Sequence, residues 1–344
     1  MNAVRSLAER PVVRTLGAIA AALLVFALLL VAKGADPISG YRAMWDSITR
    51  DSNSIGDVLV RTGPYLLAAL AVVMPARAGL FNIGGEGQLV IGAVVAFAAA
   101  EGMSQELPRA VTLVVMALAA MVGGAAWAAI AAALRQWTGT NEIISTLLLN
   151  YLATLLLGWL VFGRWKDPTS TGFPRTRSLT EEERLPILWG RVHIGVVVAL
   201  VAAVIVWLVL TRTSWGFRLG VLGGNAEAAR RAGFRTGTLA TSALMAGGAL
   251  AGLGGMLQSS GVEGQLRPGI MVGYGFTGIL AAWMVRQHPI RAIVSSFALA
   301  AIAIGGNGLK IREGLSAASV NILMALLLLA VLGWGGSRRS VVGK

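Results

Sequence analysis

Long uncharged runs, broken at short intervals by clusters of charge and glycine, set the pattern of this chain. A helix that crosses a bilayer core of about 30 Å needs about 20 mostly apolar residues. Ten runs approach that length: 15–32, 56–76, 84–100, 109–134, 142–162, 192–211, 238–260, 270–285, 290–306 and 316–335. Alanine, leucine and valine fill them, which suits helices, and the alternating ten-residue segments of an outer-membrane barrel are missing. The pattern predicts an all-α polytopic membrane protein, one transmembrane domain over 1–344 with about ten transmembrane helices.

Composition agrees. The chain is 56% hydrophobic and 13% charged with a mean hydropathy of +0.72, against roughly 45–50% apolar for a soluble domain. The first run follows Arg5, Arg10 and Arg14 in the manner of a secretion signal. It is longer than a signal core, however, and ends Val31, Ala32, Lys33, Gly34 without an A-x-A cleavage pattern, so it is expected to remain as an anchor. Cysteine is absent, which excludes disulfides and thiolate chemistry.

Charge orients the bundle. With a cytoplasmic N-terminus and ten spans, the inner segments hold Arg77, Arg135, the cluster Arg212, Arg218, Arg230, Arg231 and Arg235, then Arg286 and Arg291, and finally Arg338, Arg339 and Lys344, with few acids among them. That is the positive-inside distribution, with both termini cytoplasmic. It also accounts for the net charge of +13 without nucleic acid, because the basic residues are dispersed over loops and form no stripe interleaved with aromatics.

Two loops exceed a turn. The outer loop 163–191 is polar, carries three prolines and ends near Trp189, a candidate interfacial anchor; it reads either as a solvated connector or as a face for an extracytoplasmic partner. Within the inner loop 212–237, Asn225 is placed as an N-cap, Glu227 lies in the following first turn, Arg230 and Arg231 in the last, and Gly233 at the left-handed C-cap. A short, deliberately ended helix is therefore expected in that loop, either a surface helix or one that meets a partner.

Catalytic chemistry is hard to find. There is no G-x-x-x-x-G-K-[ST] and no H-E-x-x-H, and His193 and His288 each stand alone at an expected span end, where an interfacial hydrogen bond explains them. GYGFTG (273–278) matches G-x-G-x-x-G but lies in an apolar run with no preceding strand, so its glycines are read as close packing or a helix break. MAGGALAGLGGMLQ (245–258) spaces small residues as a helix-packing seam, with Gln258 near its end open to either a structural or a pathway role.

Polar residues inside the spans remain. Glu142, Thr146 and Asn150 fall at i, i+4 and i+8, on one helical face. In GLFNIGGEGQ (79–88), Asn82 and Glu86 are also four apart, and the flanking glycines point to an interrupted helix lining a cavity. Such residues avoid lipid: they either line a wet path or tie helices together.

Taken together, GLFNIGGEGQ (79–88), TNEIISTLLLNY (140–151), RVHIG (191–195), GGNAEAARRAGF (223–234) with GGALAGLGG (247–255), and GYGFTGI (273–279) resemble the permease subunits of ATP-binding-cassette importers of the branched-chain amino acid, ribose and nucleoside group, most closely the nucleoside type. ISGYRAMW (38–45) resembles the longer of the two permeases that nucleoside systems often pair. One departure stands at Ala226, where the family usually has proline; proline at N1 is preorganising but replaceable.

The resemblance implies a multi-pass protein of the bacterial cytoplasmic membrane and a coupling helix at 226–232 that docks on an ATPase subunit, with Gly224, Asn225, Ala226, Glu227, Ala228, Ala229, Arg230, Arg231 and Gly233 as the coupling residues. It also implies a second permease, an extracytoplasmic substrate-binding protein, and ATP hydrolysis on separate chains, so no cofactor on this one and no enzyme activity of its own. The candidate substrate-pathway residues are Asn82, Glu86, Gln88, Asn141, Glu142, Thr146, Asn150, Gln258 and Phe276. The implied cargo is a small polar solute, nucleosides first, then ribose-like sugars, then branched-chain amino acids. An ion-coupled secondary transporter would share the spans but has no use for a partner helix, and an intramembrane enzyme would need a convergent catalytic set that is not there.

Overall fold

Four of the described helices start on a side-chain cap. The computed structural model describes residues 11–104 and 107–335; Arg5, Arg10, Arg338, Arg339 and Lys344, which carry part of the charge argument, lie outside them. The helix α1 (Pro11–Ala32) stops at Gly34, and α2 (Pro37–Thr49) restarts with Pro37 at N1 and Asp36 accepting from the Ser39 amide at 2.9 Å. The axes of the two helices differ by 114°. Next come α3 (Ser52–Ala76), with Pro64 and Pro75 inside it, α4 (Gly85–Gly102), and α5 (Arg109–Thr138), which ends on Gly139 at φ 71°. Asn141 caps α6 (Glu142–Phe162), accepting from the Ile143 amide at 2.8 Å.

A long loop then leads to the antiparallel hairpin of β1 (Ile187–Trp189) and β2 (Val192–His193), and on to α7 (Gly195–Arg212). The inner-loop sequence folds into two helices, α8 (Ser214–Gly224) and α9 (Ala226–Arg231). After them, α10 (Thr236–Gln258) runs into a π turn over Ser259–Glu263 that Gly264 closes in the left-handed region. The last helices are α11 (Tyr274–Met284), α12 (Arg291–Arg312) and α13 (Ala317–Gly335).

Six of the described helices are long and apolar enough to cross a bilayer: α3, α5, α6, α7, α10 with its π turn, and α12; the α1–α2 pair makes a seventh if it counts as one bent span. Among the described residues, fewer helices meet both the length and the apolarity of a crossing than there are apolar runs. The run at 270–285 is helical only over the 11 residues of α11, about 16 Å at 1.5 Å per residue.

The chain forms two compact units, Leu59–Phe297 and a second made of residues up to Val58 and from Ala298 onward. In the larger unit α10 is the hub, and glycine makes it one. A Cβ on Gly248 would strike the Gly124 carbonyl of α5, one on Gly252 the Ala120 carbonyl, and one on Gly255 the Leu89 carbonyl of α4. The expected packing seam is thus two-sided, seating α10 against α5 and α4 at backbone distance. In the smaller unit α1 packs on α13, and Glu313 accepts from the Ser39 hydroxyl at 2.5 Å.

Candidate functional site

Pro75 opens the site. Proline has no N–H, so the Ala71 carbonyl one turn earlier is left without its helical donor. Asn82 supplies it: the chain reverses at Gly79 (φ 75°), and the Asn82 side-chain amide donates to Ala71 O at 3.1 Å and to Gln88 Oε1 at 2.9 Å. Its Oδ1 accepts from the Gly84 amide and from Gln88 Nε2, both at 3.0 Å. Both residues are 1% exposed, and they complete each other's hydrogen bonding.

The stripe on α6 faces this same segment. Asn150 accepts from the Gly87 amide at 2.7 Å and donates to Ile83 O at 3.0 Å. Thr146 lies where a Cβ on Gly84 would come within 2.9 Å, and it bonds its own Glu142 carbonyl at 2.6 Å. Glu142 pairs with Arg135 at 2.6 Å, and Phe81 N–H points at its other oxygen at 3.5 Å. Asn141 is spent as the helix cap. Gly84 and Gly87 thus serve close approach of α6 as well as the helix break, while Gly85 faces Gly275 of α11.

Glu86 is placed differently. It is half-buried in the first turn of α4, and both carboxylate oxygens accept from the Gly273 amide at 3.0 Å, with the Gly275 and Phe276 amides also turned to it. The carboxylate therefore caps α11 from outside, where free amides and the helix dipole favour negative charge. A Cβ on Gly275 would run into the Glu86 backbone, so α4 and α11 meet by their N-terminal ends. Phe276 projects beside this junction, 46% exposed. Gln258 stands apart at the end of α10, where its side-chain amide donates to Glu263 of the π turn at 3.4 Å.

Several residues here escaped the sequence reading. Arg61 lies over the Tyr274 ring at 5.7 Å, Tyr65 meets that ring edge-on at 5.0 Å, and Phe81 stacks on Trp283 at 5.8 Å. A cation inside the 56–76 run was the available signal for Arg61. No group of His, Asp and Glu able to hold a metal occurs among the described residues.

The long loop after α6 is stitched down. Arg177 forks onto Glu183 at 2.7 and 2.8 Å, pairs with Glu101, and lies over Phe97 at 5.3 Å. Burial pushes the Glu183 carboxyl up, but Arg177 and the Thr180 amide outweigh it and hold it below the usual range. Leu185 N–H donates to Ser260 O at 3.2 Å and Leu179 N–H to Gly264 O at 2.7 Å, which fastens the loop to the π turn.

His193, in the hairpin, is 1% exposed; its Nδ1 accepts from the Gly195 amide at 3.1 Å while Nε2 has no partner. Burial pushes the imidazole down from 6.5 to about 4. Below pH 6.5 the unfolded chain takes up a proton that the folded one refuses. Stability present above 6.5 is therefore lost as pH falls toward about 4, by on the order of 3 kcal/mol. His193→Asn retains an acceptor for Gly195 and is expected to flatten the dependence of melting temperature on pH in that window. Equal slopes for variant and wild type would refute this.

The loop after α7 carries the caps that its sequence spells. Asn225 Oδ1 accepts from the amides of Glu227 and Ala228, both at 3.0 Å. At the other end Gly233 (φ 79°) donates to Arg230 O and Phe234 to Ala229 O, each at 3.0 Å, a Schellman closure. Ala229 is fully buried; Glu227, Ala228, Arg230 and Arg231 are exposed. On the preceding α8, Gly223 lies against the Arg77–Gly79 backbone, and a Cβ on Gly79 would sit 3.3 Å from Gly223 Cα. The loop is thereby seated directly on the turn that leads to Asn82 and Glu86.

Interrupted apolar helices meeting by their N-terminal ends, with a capped helix on a basic loop, define the membrane subunit of a transporter. The chain belongs to the family of the branched-chain amino acid transport system permease component, which matches residues 54–332. It is 37% identical to a glucose ABC transporter permease protein of Haloferax volcanii, over 91% of this chain and 84% of that one. It is 29% identical to a guanosine ABC transporter permease protein of Bacillus subtilis, over 92% of each. A second guanosine ABC transporter permease protein of Bacillus subtilis is also 29% identical, over 81% of this chain and 89% of that one. The chain is an ABC transporter permease, a multi-pass transport component.

Proposed function

We propose that this permease pairs with a second, different permease to form the path of an ATP-driven importer for nucleosides. The observation that carries the importer reading is the doubly capped α9, presented on a basic loop whose neighbour α8 rests on the Arg77–Gly79 turn. ATP is hydrolysed on separate ATPase subunits. Their closure displaces α9, and the displacement passes through α8 to the segment bearing Asn82, Glu86 and Gln88, switching access between the two sides. A binding protein delivers solute to the outer face. Two guanosine permeases from one organism among the relatives support the heterodimer. Under this reading each of the ten apolar runs supplies a membrane segment, the short ones as half-spans, in the cytoplasmic membrane with both termini inside.

Nucleosides and sugars share a hydroxylated ring, and the 37% identity to a glucose permease favours a sugar as the second reading. The test is uptake into proteoliposomes holding both permeases and the ATPases, supplied with the binding protein. Labelled guanosine is expected to accumulate only with internal ATP and to be unaffected by ionophores. Glucose or ribose accumulating in its place would replace the cargo, and accumulation driven by an ion gradient without ATP would overturn the importer.

A further inference from the structure

The smaller unit holds a cavity that none of this chemistry uses. The helices α2 and α12 close on each other at Gly308, where a Cβ would strike the Ala43 carbonyl and the Ser47 hydroxyl. Beside that contact, with the start of α3 as a third wall, lies a half-open cavity of about 190 Å³. Besides Ser47, its polar lining is Asp46, Arg50, Ser54, Asp57, Asn307 and Arg312. Arg312 donates to Asp46 at 2.7 Å across α2 and α12. Ser54 gives its hydroxyl proton to Asp51 at 2.9 Å, so it turns lone pairs to the space. Arg50 and Asn307 have no partner among the described residues.

Two carboxylates and two guanidiniums leave the wall without net charge. An ionic ligand would meet as much repulsion as attraction there. A neutral solute with adjacent hydroxyls meets neither: a diol can give two O–H bonds to a carboxylate and accept from the fixed N–H fork of arginine, bonds that are strong because one partner is charged. The cavity is smaller than the roughly 300–1,000 Å³ that encloses a drug-sized ligand. It has room for one ring, with any further moiety projecting from the open side.

We propose that this cavity is a reception site on the permease for the sugar ring of a neutral, hydroxylated solute. The inference rests on the cargo reading above and adds a place where the permease itself holds that cargo outside the α4–α11 junction. With a cytoplasmic N-terminus and ten spans, the α2–α3 connection and the C-terminal end of α12 lie on the outer side, the side from which an importer receives solute.

The test titrates D-ribose, and separately inorganic phosphate, into the full-length permease in lipid nanodiscs without binding protein, followed by saturation-transfer NMR. Wild type and Arg42→Gln, a change on α2 away from the cavity, are expected to bind ribose alike. Binding should weaken about tenfold in Arg50→Gln and in Asn307→Leu, with melting temperatures unchanged and no phosphate signal. Ribose binding that is absent, or equal in all four proteins, overturns the proposal. So does competition by phosphate. Uptake of guanosine and glucose by the wild-type complex is measured in parallel: failure there with ribose binding intact removes the transport reading, whereas normal uptake with equal binding in the variants removes only the cavity.

Discussion

Glu86→Leu is expected to lower the melting temperature in detergent far more than Glu86→Gln and to cost most of the folded complex. The carboxylate caps α11 through the Gly273 amide, with Gly275 and Phe276 also facing it. Leucine strands those donors at about 1–3 kcal/mol each. Glutamine keeps one oxygen and loses mainly the attraction between charge and helix terminus, about 0.3–1 kcal/mol and up to ~2 where partly buried. Because α4 and α11 meet at this residue, the glutamine variant is also expected to transport severalfold more slowly per folded complex. Wild-type uptake by the glutamine variant beside a misfolded leucine variant would leave Glu86 a structural tie only. Equal melting temperatures for all three proteins would overturn the cap itself.

The same residue shows how far the sequence could be read. A carboxylate amid glycines in an apolar run announces that it avoids lipid, and the break at Gly84–Gly85 was legible from glycine alone. The partner was not, because Gly273 lies 187 residues away and offers only a backbone amide. The stripe on α6 behaves likewise. Spacing put Glu142, Thr146 and Asn150 on one face, and the structure turns that face to residues 81–87. Five polar residues offered as pathway candidates, Asn82, Gln88, Glu142, Thr146 and Asn150, have hydrogen bonds inside this network. The carbonyl freed by Pro75, which Asn82 satisfies, was written in the sequence as a proline within a span.

Local signals fared best where they are local by nature. Asn225 and Gly233 mark the two ends of α9 because capping needs only a few neighbouring residues. Asn141, offered as a pathway residue, proves to cap α6, and the glycines of 245–258 reveal a seam because close approach requires the missing Cβ. What stayed hidden depends on distant pairing or on composition that suits two structures. SWGFRLGVLGG (214–224) is glycine-rich enough to read as loop, yet it forms α8, with Gly216 set close against Val209 and Leu210 of α7 and Gly220 and Gly223 against Arg77 and the turn to Gly79. The run at 270–285 is apolar throughout, and only its fold shows that a turn occupies its first part. The 163–191 loop reads as a solvated connector or a partner face, and its anchorage stays hidden because Arg177 reaches Glu101 across 76 residues.

Burial on α9 separates two substitutions that look equivalent in the sequence. Ala229 is fully buried, and its carbonyl closes the Schellman turn, so Ala229→Asp places a carboxylate inside the loop and is expected to unfold it. Ala228 is exposed on the same short helix, and Ala228→Asp should leave the loop folded while making a small surface bulky and charged. If α9 enters a groove on the ATPase, Ala228→Asp is expected to reduce by about tenfold or more the ATP turnover stimulated by loaded binding protein, since a charge forced into a desolvated contact costs several kcal/mol. Protein abundance and melting temperature should stay at wild-type values. Asn225→Ala, which removes only the cap at about 1 kcal/mol, should fall between the two. The measurement is ATP turnover per assembled complex in proteoliposomes, with and without loaded binding protein. Wild-type stimulation in Ala228→Asp would mean that this face of α9 touches no partner, and the route through Gly223 and Gly79 to Glu86 would lose its starting point.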